Sequence, residues 1–241
     1  MRYGIFSDIH GNLEALSAVL KACREEGVRH YFCAGDIVGY GANPRECIEE
    51  MKRIKAKVVA GNHDWAVAGK EDTRDFNPMA QEAVSWTKKN LSDNEIKFLG
   101  ALPLVHHHSD FIMVHGSLNA PERFIYVTDI NLAMDTFYLM DKNLCFIGHT
   151  HVPGIMVHRG GKTNYANSLK IEVDPRNKYL INVGSVGQPR DGNPQATYCI
   201  YDPDLKTVEI KRVAYDITSA QNRIMEAGLP ELLAHRLSIG Q

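Results

Sequence analysis

Residues 3–12 read YGIFSDIHGN: an apolar run that stops at Asp8, steps over one residue to His10 and turns at Gly11. Tyr3–Ser7 has the length and residue types of a buried strand. Asn12–Glu26 follows with Leu13, Leu16, Val19, Leu20 and Cys23 at helical spacing. The pattern then repeats. Tyr31–Ala34 reads as a second strand, Asn43–Ile54 as a second helix with Pro44 in its first turn after an Asn43 cap, and Val58–Ala60 as a third strand. Alternation of this kind requires right-handed crossovers and a largely parallel sheet.

Working outward, Asp64–Leu99 is helical in pattern. Asn77-Pro78 opens one helix, and Ser92 with Glu95 three residues later is a capping-box signature for another. Phe111–Val114 and Leu144–Ile147 are further apolar runs, with a helix expected over Asp129–Met140. After Pro153 the texture changes to short strands at Ile155–Val157, Tyr179–Val183, Thr197–Tyr201 and Val208–Val213, divided by turns such as Gly160-Gly161 and Asp202-Pro203. These read as antiparallel or mixed, and Ile217–Ala227 as a closing helix. The expectation is one α/β domain over residues 1–241, two packed β-rich halves with helices outside and a helical stretch at about 64–99.

Length and composition fit that reading. A chain of 241 residues with 44% hydrophobic and 23% charged residues can bury a large core without staples. A net charge of −2 carries no basic surplus for non-specific nucleic-acid or membrane binding. The apolar stretch before Asp8 is too short for a signal-peptide core, which points to the cytoplasm. Cys23, Cys33, Cys47, Cys145 and Cys199 are scattered, form no C-x-x-C pair and read as buried reduced thiols.

Five apolar runs end in polar clusters: Asp8-Ile9-His10, Gly35-Asp36, Gly61-Asn62-His63-Asp64, His115-Gly116 and Gly148-His149-Thr150-His151. Each lies at the carboxyl end of an expected strand, where α/β sheets collect ligand-binding groups. Imidazole nitrogens with Asp and Asn oxygens suit zinc, manganese or iron, and the absence of thiolates argues against a structural zinc. Asp8, His10, Asp36, Asn62, His115, His149 and His151 are too many for one tetrahedral ion and about right for two sharing a carboxylate. Two such ions ~3.5–4 Å apart can clamp a phosphate and activate water.

In this order the five clusters resemble the calcineurin-like metallophosphoesterase superfamily, and its small prokaryotic phosphodiesterase branch in particular. The segment Tyr179–Arg190 has the same look. The resemblance implies two packed mixed β-sheets flanked by helices, an α/β/β/α sandwich. It implies two divalent ions, manganese, iron or zinc. Asp8, His10 and His151 would bind one, Asn62, His115 and His149 the other, and Asp36 would bridge them. A hydroxide held between the ions would attack phosphorus. His63 would be the non-ligand histidine that protonates the leaving alkoxide, with Asp64 orienting its imidazole.

One departure narrows the substrate. Superfamily protein phosphatases and dinucleoside tetraphosphatases carry an Arg soon after the bridging Asp, and Tyr40 stands there in Gly35-Asp36-Ile37-Val38-Gly39-Tyr40. A phosphodiester or small phosphomonoester is therefore favoured over a phosphoprotein, and Arg190 is a candidate substitute cation. The rival readings are a two-metal nuclease, a dinucleoside polyphosphate hydrolase and a catalytically silent binding scaffold, the last disfavoured because every ligand position and His63 are filled. Taken singly, Asp8 reads equally well as a helix cap. His106-His107-His108 reads as a solvated turn before a strand, His30, His158 and His235 as structural or exposed, and Trp65 and Trp86 as packing residues, Trp65 with a possible view of the pocket.

Overall fold

The computed structural model describes all residues from Met1 to Gln241. The N-terminal part runs β1 (Tyr3–Phe6), α1 (Leu13–Glu25), β2 (His30–Cys33), α2 (Pro44–Arg53), β3 (Lys57–Val58) and α3 (Asn62–Val67). Helices α4 (Pro78–Asn90) and α5 (Asp93–Gly100) follow, then β4 (Val105–His107), β5 (Phe111–Val114), α6 (Ile130–Leu139) and β6 (Leu144–Ile147). The remainder holds β7 (Gly154–Arg159), β8 (Lys162–Tyr165), β9 (Lys170–Glu172), β10 (Lys178–Asn182), β11 (Ala196–Asp202) and β12 (Thr207–Val213). It closes with α7 (Ile217–Glu226) and α8 (Glu231–His235).

The strands form two six-stranded mixed sheets, ordered β3-β2-β1-β11-β12-β9 and β4-β5-β6-β10-β7-β8. Parallel pairing is confined to β1-β2-β3 in one sheet and β5-β6-β10 in the other. The sheets do not follow the change of texture at Pro153. β11 and β12 cross back to pair antiparallel beside β1, while β10 docks parallel beside β6.

Alternation along the strands sorts the apolar side chains into layers. Tyr3 and Ile5 of β1 meet Phe111, Met113, Phe146, Ile181 and Tyr201 between the sheets. Ile112, Val114, Cys145, Ile147 and Leu180 point the other way, onto Ala133 and Phe137 of α6. On the far side, Leu16, Val19, Leu20 and Cys23 of α1 pack with Ile48 and Met51 of α2. The result is the expected α/β/β/α sandwich.

Local signals end the helices largely as expected. Asn77 accepts from the Ala80 amide, and Ser92 and Glu95 satisfy each other's backbone N–H. Asn43 holds the N-cap position of α2 but makes no side-chain cap bond. Its own N–H donates to the Gly11 carbonyl instead, which ties the loop after Asp36 to the loop after Asp8. The His106–His108 run is not a turn. His106 and His107 lie in β4, paired antiparallel with β5, and His108 stacks on Phe111 at 4.6 Å. β8 and β9 had no sequence signal, being polar edge strands with little buried surface. All five cysteines are free and buried, and no helix is long and apolar enough to cross a membrane.

Phe111 is fully buried and meets Phe32 at 4.9 Å and Phe146 at 5.2 Å, so it joins the two sheets at one point. Phe111→Ala should cost about 3–5 kcal/mol in denaturant unfolding, because the surrounding aromatic cluster cannot collapse into the space. A loss below about 1 kcal/mol would show that the sheets are not held together there.

Candidate metal centre

The candidate residues follow the carboxyl ends of the parallel strands, most on loops and Asn62 and His63 in the first turn of α3. β1 leads to Asp8 and His10, β2 to Asp36, β3 to Asn62 and His63, β5 to His115, and β6 to His149 and His151. The backbone is strained where they sit. Asp8 (φ 55°), His10 (50°), Asp36 (54°), Tyr40 (60°), His149 (69°) and His151 (61°) are six of the ten non-glycine residues with positive φ. Such backbone persists only where its surroundings over-determine it, and its concentration here marks a functional site. Two glycines permit the close approach. A Cβ on Gly61 would strike the Asp36 carboxylate, and one on Gly148 would strike Asp8 and Ser7.

Both carboxylates are used in the same way. Asp8 Oδ2 accepts the His149 N–H at 3.0 Å and Asp36 Oδ1 accepts the His63 N–H at 2.9 Å. Their other oxygens face the histidines. Asp8 Oδ1 lies 3.2 Å from His151 Nε2, and Asp36 Oδ2 lies 3.3 Å from His115 Nε2 and 3.7 Å from His10 Nε2.

The histidines are oriented from behind. Nδ1 of His10 donates to Val38 O at 3.1 Å, that of His115 to Ala34 O at 2.7 Å and that of His151 to Gln188 O at 2.6 Å. Carbonyls only accept, so Nδ1 carries a proton, and each ring in its neutral form turns a bare Nε2 inward. His10 Nε2 and His151 Nε2 consequently face each other at 3.0 Å. Asp8 Oδ1, Asn62 Oδ1, His115 Nε2 and both ring nitrogens of His149 are buried without a partner. A buried set of lone pairs aimed at common points is a setting in which cations can bind. The donors form the groups Asp8–His10–His151 and Asp36–His115–His149, with Asn62 Oδ1 free beside them. The residues present thus fit metal binding through oxygen and nitrogen ligands.

The electrostatics point the same way for every group but His115. Burial pushes Asp8 and Asp36 upward, but the histidine charges and hydrogen bonds outweigh it and hold both well below the usual carboxylate range. Burial drives His10 and His149 well below the ordinary imidazole value, keeping them neutral as ligands must be. For His115 burial acts downward too, but Asp36 overrides it and raises the ring to about 9.

His63 also offers a nitrogen near His10 and Asp36, so proximity alone does not separate it from the ligands. Its surroundings do. The ring lies 4.5 Å from that of Tyr40 and 5.1 Å from that of Phe76, and it lines an open cleft of about 500 Å³ with Asn62, Phe124, Tyr126 and His149. Asp64 does not orient this imidazole. Its carboxylate turns away and accepts the N–H groups of Asp36, Ile37, Val38 and Gly61, pinning the loop that presents Asp36. Burial, then the Asp36 charge, raises it to about 7. Trp65 does not line the cleft but backs Phe124, edge to face at 5.5 Å.

Other supports went unread in the sequence. Tyr126 stacks on His149 at 3.6 Å. Ser185 Oγ donates to Asp8 O, Asn182 Nδ2 to Gly148 O, and Gln188 supplies the carbonyl for His151. The segment after β10 is a sixth strand end of the same kind, Asn182-Val183-Gly184-Ser185, and its glycine beside polar residues was the available signal.

A two-sheet frame whose parallel strand ends gather Asp, His and Asn around buried, unpartnered donor atoms is the arrangement of the metallophosphoesterases. The chain belongs to the calcineurin-like phosphoesterase superfamily, whose domain model matches residues 1–206, and hence to a superfamily of hydrolases that act on phosphate esters. It is 43% identical to an uncharacterized protein of Methanocaldococcus jannaschii over 98% of this chain and 97% of that one. It is similar to the crystal structure of a metallophosphoesterase from Sphaerobacter thermophilus, with TM-score 0.87 and 40% identity over 100% of this chain and 99% of that one. A hypothetical protein from Pyrococcus horikoshii OT3 shares the fold, with TM-score 0.80 and 21% identity over 100% and 98% of the two chains.

Removing the Asp64 carboxylate should loosen the centre without touching a candidate ligand. Asp64→Ala leaves four interior N–H groups unpaired, and we expect a loss of about 2–5 kcal/mol in unfolding together with a lower metal content. Unchanged stability and metal content would show that the loop after β2 is held by other means.

Proposed function

We propose that this protein hydrolyses a phosphodiester or a small phosphomonoester with two divalent ions, and that His63 is its general acid. The observation that carries the reading is the pair of bare Nε2 atoms of His10 and His151 at 3.0 Å, set among unpartnered donors of Asp8, Asn62, His115 and His149. Asp8, His10 and His151 would hold one ion, Asn62, His115 and His149 the other, with Asp36 shared. When bound, such ions polarise phosphoryl oxygens and generate a nucleophile from water at neutral pH.

The chain's own residues do the rest. The cleft beside His63 and Asn62 receives the leaving group, and Phe76, Phe124 and Tyr126 wall it. His63 stands where the leaving oxygen emerges and gives it a proton. In the free protein burial pushes this imidazole down to about 4, and the negative charge of an arriving phosphate opposes that shift. Ala34, Val38 and Gln188 hold the three clamped imidazoles in one tautomer, so no reorientation is needed during turnover.

His63→Ala should retain its metal while turnover of a bis-aryl phosphate falls about 10²- to 10⁴-fold. Unaffected turnover would remove His63 from the mechanism. Chelation should abolish hydrolysis, and manganese should restore it with two equivalents bound per chain. One tightly bound equivalent at full activity would overturn the dinuclear reading.

A further inference from the structure

A half-buried guanidinium without a carboxylate partner stands one aromatic ring away from the candidate ligands. Arg190 lies in the loop after β10, where its backbone N–H donates to His151 O at 3.2 Å. Its Nη2 donates to Gln188 Oε1 at 2.8 Å and reaches Tyr40 Oη at 3.5 Å, while its Nε is buried with no partner. Cζ is 5.7 Å from the centre of the Tyr40 ring, and that ring is 4.7 Å from His10 and 4.5 Å from His63. Asp191, the adjacent carboxylate, is committed to Arg212.

An isolated cation in such a place is costly unless an anion completes it. The surroundings sharpen the need. Arg236 lies close by, and burial together with the Arg190 charge holds its guanidinium below the usual value. Two cations share the region, Gln188 and Tyr40 offer Arg190 only neutral oxygens, and the unused Nε remains free to donate. A guanidinium fork fits two oxygens of a phosphoryl group better than any other anion expected at this centre.

We propose that Arg190 is the phosphate-holding residue of this site, with Gln188 and Tyr40 as its positioning residues. This rests on the phosphoesterase reading and deepens it. Tyr40 then does not mark the loss of a phosphate-gripping cation from the loop after Asp36. It supports a cation that arrives from the other sheet, on the loop after β10.

The test compares wild type, R190Q, R190K and Y40F as manganese-loaded proteins. Inorganic phosphate binding is read by calorimetry, kcat and KM are read separately on a bis-aryl phosphate, and metal content and melting temperature are read alongside. R190Q should weaken phosphate binding about 10- to 100-fold and raise KM, with metal content and melting temperature unchanged. R190K keeps the charge but not the fork and should fall between R190Q and wild type, and Y40F should show a smaller loss of the same kind. Wild-type phosphate affinity in R190Q would overturn the proposal. So would a loss in R190Q and R190K that tracks lost metal or lower stability. If wild type binds phosphate but cleaves no ester, the phosphoesterase reading fails, and the phosphate affinities still decide the role of Arg190.

Discussion

Two imidazoles that present bare nitrogens to each other at 3.0 Å are the constraint around which this structure is organised. Neither ring can donate to the other, because each has its proton pinned on Nδ1 by a backbone carbonyl, Val38 O for His10 and Gln188 O for His151. Those carbonyls belong to loops from different sheets, one after β2 and one after β10. Holding the rings in place therefore requires the two sheets to stay in register at their carboxyl ends. The left-handed backbone at Asp8, His10, Asp36, His149 and His151 follows from the same demand, since each loop must turn back on itself within a few residues of its strand.

The rest of the molecule supplies the rigidity this needs. Strained backbone and clustered buried polar groups each cost free energy, and apolar burial on both faces of both sheets offsets it. Phe111, Phe146 and Tyr201 lock sheet to sheet, and α1 and α6 close the outer faces. Behind the centre, Asp64 and Ser185 spend their polar atoms on loop backbone rather than on metal or substrate. Asp64 holds the loop after β2, and Ser185 ties the β10 loop to Asp8. Removing either side chain would act on the site through main-chain position.

Much of this was legible in the chain. The strand–helix alternation from Tyr3 to Ala60 has the crossover form found in the structure, and the capping box at Ser92 and Glu95 closes as its spacing implies. The seven candidate ligands and His63 were visible because Asp, His and Asn ended apolar runs where Ser or Gly would have sufficed for a turn. What could not be read had no local signature. The edge strands β8 and β9 are too polar to alternate, and the His106–His108 run looks like a turn until β5 pairs with it and Phe111 supplies a face for His108 to stack on. Asp64 was misread because its neighbour in sequence is His63, whereas its partners in space are amides up to 28 residues away.

The sequence by itself determined the layer types, several helix starts and the chemistry available at each strand end, because these depend on side-chain periodicity and on residue type over a few positions. Only the tertiary structure decided which ends meet. β11 and β12 return across the chain to β1, and β10 slots beside β6. The second of these pairings brings Gln188 to His151 and Arg190 to Tyr40. Pairing partners are chosen by burial summed over two whole sheets, a quantity no short window of sequence contains.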